Sequence, residues 1–273
     1  MNNNVVLAIE LKSNSEVVLM GKGLGFGKIK GECLDATSDI EKAFKAGDSK
    51  SMKDNYLKML EEVNGQIVEI CTEILLLAEK KLGSLSDRSF IVVVDHISFA
   101  IEKIDKNIKI ENPFVYEIEQ LYPEEYQIGE YARKRILEKL KVDITQDEVG
   151  FIALHLNAAK ENQVVKNTLK NTRLIKSMVN IIERELDVSL KENPMSNNRL
   201  LIHLRGMLQR IDSGKVEPRH PLYDVTIREC KEAYAIVSKT ASLLNSEKKH
   251  ITDTDKFYLT LHVDRLIRMK DND

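Results

Sequence analysis

The sequence predicts a mainly α protein in which a small amino-terminal β-rich segment is followed by two homologous all-α helical bundles. Three observations carry this reading. Short β-rich runs separated by a turn open the chain, apolar residues then recur at threes and fours, and an internal repeat doubles four of the six histidines. His96 and His155 lie 59 residues apart, as do His203 and His262, so the second pair is the first displaced by 107 residues.

The first element is a hairpin: Val5 to Leu11 and Glu16 to Met20 are short β-rich runs joined by the turn-like Lys12-Ser13-Asn14-Ser15. A glycine-dense loop, Gly21 to Lys28, follows, and its glycines permit positive φ and close approach to a partner. It matches neither GxGxxG nor a GK[ST] phosphate loop. A lone aromatic, Phe26, flanked by Lys22, Lys28 and Lys30, suits unpaired RNA bases that stack while lysines meet phosphates; a small β-domain with Phe26 in its core fits equally.

From about residue 55 the spacing turns helical, with Leu57, Leu60, Val63, Ile67, Ile70, Ile74 and Leu77 on one face. Further helices are predicted over Tyr131–Leu140, Asp147–Lys160, Ile175–Leu186, Arg199–Ile211, Asp224–Leu244 and Asp253–Met269. Phe90–Val94 alone would pass for a strand, but its repeat partner around His203 has helical spacing, so both copies are assigned to helix. Thr145 and Thr252, each with an acid three residues on (Glu148, Asp255), predict a repeated helix cap.

The repeat extends beyond the histidines. Val149–Leu156 lies over Lys256–Val263, and Asp95-His96-Ile97 over Ile202-His203-Leu204. With one residue of slippage, Asn112-Pro113-Phe114 meets His220-Pro221-Leu222. An isolated histidine on an apolar face is usually a satisfied core residue; duplication argues for a site. His220 and His250 have no counterpart and are read as surface or cap residues.

Composition narrows the chemistry. A net charge of −2 gives no global nucleic-acid footprint, so such a site must be local. Three scattered cysteines without a CxxC pair predict reduced, packed thiols rather than a metal or redox motif. No apolar run approaches the ~30 Å of a membrane core and no signal-peptide pattern opens the chain, so the expected compartment is the cytoplasm, without membrane insertion.

Paired histidines serve three chemistries. Metal binding wants further ligands at helical spacing, which neither His155 nor His262 has at i+4. Acid–base catalysis wants a carboxylate partner, and Asp95 is replaced by Ile202 in the second copy. Phosphoryl acceptance wants an accessible neutral imidazole and nearby cations. Here the second copy is better provided, with Arg199 and Arg210 on the helix of His203 and Arg265 one turn after His262. A helical metalloenzyme remains the alternative.

At this point the residues resemble a known family. Asn2-Asn3-Asn4-Val5 and Met20-Gly21-Lys22-Gly23-Leu24-Gly25-Phe26, followed by Asp95-His96, Gly150–His155 and Leu259–His262, are similar to BglG/SacY/LicT-type transcriptional antiterminators over nearly the whole chain. The resemblance implies a homodimeric co-antiterminator RNA-binding domain over residues 1–54 and phosphotransferase regulation domains over 55–165 and 166–273. It implies a binder rather than an enzyme, with no cofactor and no metal. The dimer would grip a leader RNA hairpin and keep the terminator of a sugar-utilisation operon from forming.

In such proteins His96, His155, His203 and His262 would accept phosphate from HPr and a sugar-specific enzyme II, inhibiting through the first regulatory domain and activating through the second. Asn4, Gly21, Lys22 and Phe26 match the RNA-contact positions, with Lys22 standing where relatives often carry arginine and its planar fork. Relatives usually have more residues before the Asn-Asn-Asn segment, so the domain's first strand is expected to be missing here.

Overall fold

The computed structural model describes residues 5–21, 23–34, 40, 42–45, 63–86 and 88–270. Asn4 and Lys22, two of the four expected RNA-contact residues, lie outside the described residues, as does the helical stretch expected from residue 55 to 62. The chain divides into two compact units, residues 1–168 and 169–273.

The expected hairpin forms. Strands β1 (Val5–Glu10) and β2 (Ser15–Met20) pair antiparallel with Val6 opposite Leu19 and Ala8 opposite Val17. These four side chains share a face because strand residues alternate sides. With Leu24 and Leu34 they make a small apolar core. A third strand, β3 (Lys42–Lys45), pairs antiparallel with β2 and was not expected, its four residues being too few to show an alternating pattern.

The first unit continues with α1 (Gly65–Leu82), α2 (Ser89–Asp105), α3 (Val115–Leu121), α4 (Pro123–Leu140) and α5 (Gln146–Lys160). Helix α1 starts where the Asn64 side chain accepts from the Gln66 amide at 2.8 Å. Its apolar stripe, Ile67, Ile70, Cys71, Ile74 and Ala78, packs on Phe90, Val94 and Ile97 of α2, Ile128 and Ile136 of α4, and Ile152 and Leu156 of α5. Glu73 of α1 also accepts from Arg135 and Lys139 of α4.

The second unit repeats this plan with α6 (Val165–Leu186, which spans the division), α7 (Pro194–Asp212), α8 (Tyr223–Glu229), α9 (Lys231–Ser246) and α10 (Asp253–Lys270). Duplication reaches the backbone. Asn107 and Gly214, which end α2 and α7, both take positive φ, 54° and 67°, and Lys141 and Lys248 after α4 and α9 both take 60°. The bonds Ile108 N to Lys103 O and Lys215 N to Arg210 O close the same left-handed cap.

Phe90–Val94 is helical, as the repeat argument expected. The continuous helix expected over Asp224–Leu244 is instead two helices broken at Cys230, where φ/ψ of −109°/50° leaves the helical region. The first copy breaks at the matching point, where Tyr122 precedes Pro123, which disfavours helix at the residue before it; the second copy bends at Cys230 without a proline. Helix α3 and the first two turns of α4 were likewise not expected. Of the cysteines, Cys71 is buried, but Cys33 is exposed rather than packed, because it lies in the loop between β2 and β3.

Candidate functional site

Helix α2 packs on α5, and α7 on α10, in contacts that bring each histidine pair together. The His96 and His155 rings have centroids 4.6 Å apart and tilted by 36°; those of His203 and His262 are 4.6 Å apart and tilted by 42°. Each first histidine also faces an aromatic one turn before the second: Phe151 at 6.0 Å from His96, Tyr258 at 6.2 Å from His203. That aromatic recurs at matching positions of the repeat, a signal available in the sequence and unused. All four imidazoles are half-buried.

Burial, then the neighbouring His96, holds His155 down to about 3. Burial, then His262 and Arg210, holds His203 down to about 4, with Asp255 pulling the other way. Burial, then Arg265 and Arg199, lowers His262. These three rings are therefore neutral near pH 7, the form with a free nitrogen lone pair.

The two sites differ in their acids and bases. In the first, the Glu148 carboxylate, 4% exposed, stands 3.1 Å from His96 Nε2. Its counterpart Asp255 is one methylene shorter. It stays at the start of α10, where it accepts from the Thr252 hydroxyl at 2.7 Å and from Arg210 Nη2 at 2.6 Å. The cap expected in both copies thus forms through the side chains only at Thr252; Thr145 makes no such bond, because Glu148 has turned to the histidine.

Arg210, an expected anion holder, is in the ground state the partner of Asp255. Arg199 and Arg265 are exposed, bias His262 electrostatically, and have no ion-pair partner among the described residues. At the matching positions the first copy has Val92 and Ala158 in their place and Lys103 for Arg210. Lys103 Nζ lies 4.8 Å over the Phe99 ring. Asp95 is exposed on the same helix.

No group of three or more His, Cys, Asp or Glu is placed to hold a metal ion among the described residues. Nor is any described helix long and apolar enough to cross a membrane.

At the amino-terminal sheet, Gly23–Lys28 folds as successive turns, with Phe26 N donating to Gly23 O at 2.9 Å. Gly23 and Gly27 take φ of 70° and 68°, conformations that side chains other than glycine rarely adopt. The turns project Phe26, which is 75% exposed and so not a core residue, beside exposed Lys28 and Lys30; Gly21 is buried at the loop's base.

A family model described as the PRD domain matches residues 72–159 and 176–266, and one described as the CAT RNA binding domain matches residues 1–53. The chain is 30% identical to "Transcription antiterminator LicT" of Bacillus subtilis, covering 98% of this chain and 97% of the relative. It is 31% identical to "Beta-glucoside operon antiterminator" of Dickeya chrysanthemi, covering 97% and 94%. It resembles a solved structure titled "Crystal structure of GlcT CAT-PRDI", with 35% identity, a TM-score of 0.51, and coverage of 58% of this chain and 94% of that one. Two copies of the PRD match, each holding one histidine couple, behind an RNA-binding match place this chain in the family of CAT- and PRD-domain transcription antiterminators.

Proposed function

We propose that the chain is an RNA-binding antiterminator of a sugar-utilisation operon whose four paired histidines are phosphorylated by the phosphotransferase system. The observation that carries this is the same imidazole couple, 4.6 Å between centroids, recurring in two bundles that follow an RNA-binding domain. In this reading a cytoplasmic homodimer holds a leader RNA hairpin through Asn4, Gly21, Lys22 and Phe26 and prevents the overlapping terminator from forming. The domains are residues 1–54, 55–165 and 166–273. HPr and a sugar-specific enzyme II donate the phosphoryl groups.

A phosphoryl group adds about −1.5 to −2 charges at neutral pH. In the second bundle Arg199 and Arg265 are open to receive that charge, with Arg210 nearby. In the first, Glu148 and Asp95 repel it. We therefore expect phosphate on His203 or His262 to tighten dimer contacts and phosphate on His96 or His155 to loosen them, a bias that the RNA-binding domain reads.

The test is transfer from HPr and enzyme II to the purified chain with sites mapped by mass spectrometry, alongside hairpin binding at stated salt. Label on all four histidines, with opposite effects of the two bundles on RNA affinity, is expected. Four unmodified histidines would end the proposal.

A further inference from the structure

The two bundles differ at one matched pair of acids. Glu148 and Asp255 occupy the same turn of matching helices, and both are almost fully buried. Asp255 is satisfied by Thr252 and Arg210. Glu148 Oε2 and His96 Nε2 are both buried and neither makes a well-aligned hydrogen bond, yet they lie 3.1 Å apart. Each is the polar partner within the other's reach. The distance is that of a hydrogen bond and only the angle falls short, which a turn of the imidazole about its broad χ2 torsion corrects.

The base differs in step with the acid. Arginine at 210 is long enough to reach Asp255, whereas Lys103, its counterpart, lies over the Phe99 ring. The pairing of Glu with Lys in one copy and Asp with Arg in the other sends the first acid to its histidine and ties the second to its arginine.

We propose that Glu148 is a positioning residue for His96. It holds the proton on Nε2, so that Nδ1 presents its lone pair and becomes the phosphoryl acceptor; this rests on the reading that His96 is an acceptor. Carboxylates that orient a working imidazole fix its tautomer in the same way. In the transfer step the Nδ1 lone pair forms the new N–P bond while the donor's bond to phosphorus breaks and its electron pair leaves with the donor. The ring gains positive charge with its proton still on Nε2, and the Glu148 carboxylate counters that charge. His203 has no equivalent carboxylate at its Nε2, since Asp255 is held by Arg210.

The experiment uses the full chain with histidine labelled in ¹⁵N, as wild type, Glu148→Gln and Glu148→Ala, and treats it with phosphoramidate as well as with phospho-HPr and phosphorylated enzyme II. With phosphoramidate the P–N bond breaks and ammonia leaves, so labelling reads the nucleophile without docking of a protein donor. Imidazole shifts give the tautomer of His96, and ³¹P spectra with mapped label give the nitrogen modified.

The wild type is expected to show the Nε2–H tautomer and label on Nδ1. Glu148→Ala should lose the tautomer preference and slow His96 labelling by about ten- to a hundredfold. Glu148→Gln, which keeps an acceptor oxygen without the charge, should restore the tautomer but only part of the rate. Labelling of His203 and His262 should not change, which a general loss of folding would not allow. Label on Nε2, no label on His96 from any donor, or Glu148→Ala labelling at the wild-type rate would each overturn the proposal. Label from phosphoramidate but from neither protein donor would support it while removing the phosphotransferase reading.

Discussion

Asn112 and His220 stand at the same point of the two bundles and make the same bond. Asn112 Oδ1 accepts from the Phe114 amide at 3.1 Å, and His220 Nδ1 accepts from the Leu222 amide at 3.2 Å. Each fastens the loop before its short helix onto the start of the helix that carries the second histidine. What lies beneath differs. Asn112 meets Asp147 and rests against Gly150, whereas His220 stacks on Phe257 at 4.0 Å and 12°. Glycine under an amide and phenylalanine under an imidazole are two solutions to one packing problem, each dependent on both members.

That dependence predicts a coupling. A Cβ at Gly150 would lie 2.8 Å from Asn112 Nδ2, so Gly150→Ala should destabilise the first unit by about 1–3 kcal/mol. Urea denaturation of Gly150→Ala, Asn112→Ala and the double variant should show the double costing less than the sum. Strictly additive losses would mean that the two do not press on each other.

The histidines predict an acid-labile stability. His155 is held at about 3 and His203 at about 4 when folded, below the ~6.5 of the unfolded chain. Between those values the unfolded chain binds protons that the native chain refuses, so stability is full above about pH 6.5 and falls as pH falls. Unfolding free energies from urea denaturation recorded from pH 7.5 to 5 should drop by up to ~1.4 kcal/mol per pH unit for each group. His155→Gln and His203→Gln should flatten the profile, and an unchanged slope would refute the assignment.

Only one of the two helix starts is capped by its threonine. Thr252→Ala removes bonds to the Asp255 carboxylate and amide and should cost about 1 kcal/mol, whereas Thr145→Ala should cost a few tenths at most. Paired chemical denaturation curves would read the contrast, and equal costs would contradict the partner assigned to Glu148.

Phe26 is exposed and supported by turns rather than by a core. Phe26→Ala should leave the melting temperature unchanged and weaken binding of a hairpin by about 1–3 kcal/mol if a base stacks on it. Alanine at Lys28 and Lys30 should instead lower the salt dependence of binding by roughly one phosphate contact each. Equilibrium binding across a salt series separates the two, and an unchanged affinity for Phe26→Ala would remove it from the RNA surface.

Repetition made much of this molecule legible. A displacement of 107 residues settled Phe90–Val94 as helix and singled out the four histidines, because both inferences need only the order of residues and the 3.6-residue period. The hairpin was legible for the same local reason. The break at Tyr122, the extra short helices and strand β3 were not, since a bend needs only one residue outside helical φ/ψ and a four-residue edge strand shows no period.

By itself, then, the sequence determined that there are two bundles, which helices carry the imidazoles, and that arginines gather in the second. The tertiary structure alone decided which partner each acid takes. Glu148 and Asp255 differ by one methylene, about 1.5 Å of reach. That difference has meaning only once α5 lies against α2 and α10 against α7, where it decides whether a carboxylate reaches a histidine or stays with a helix cap and an arginine.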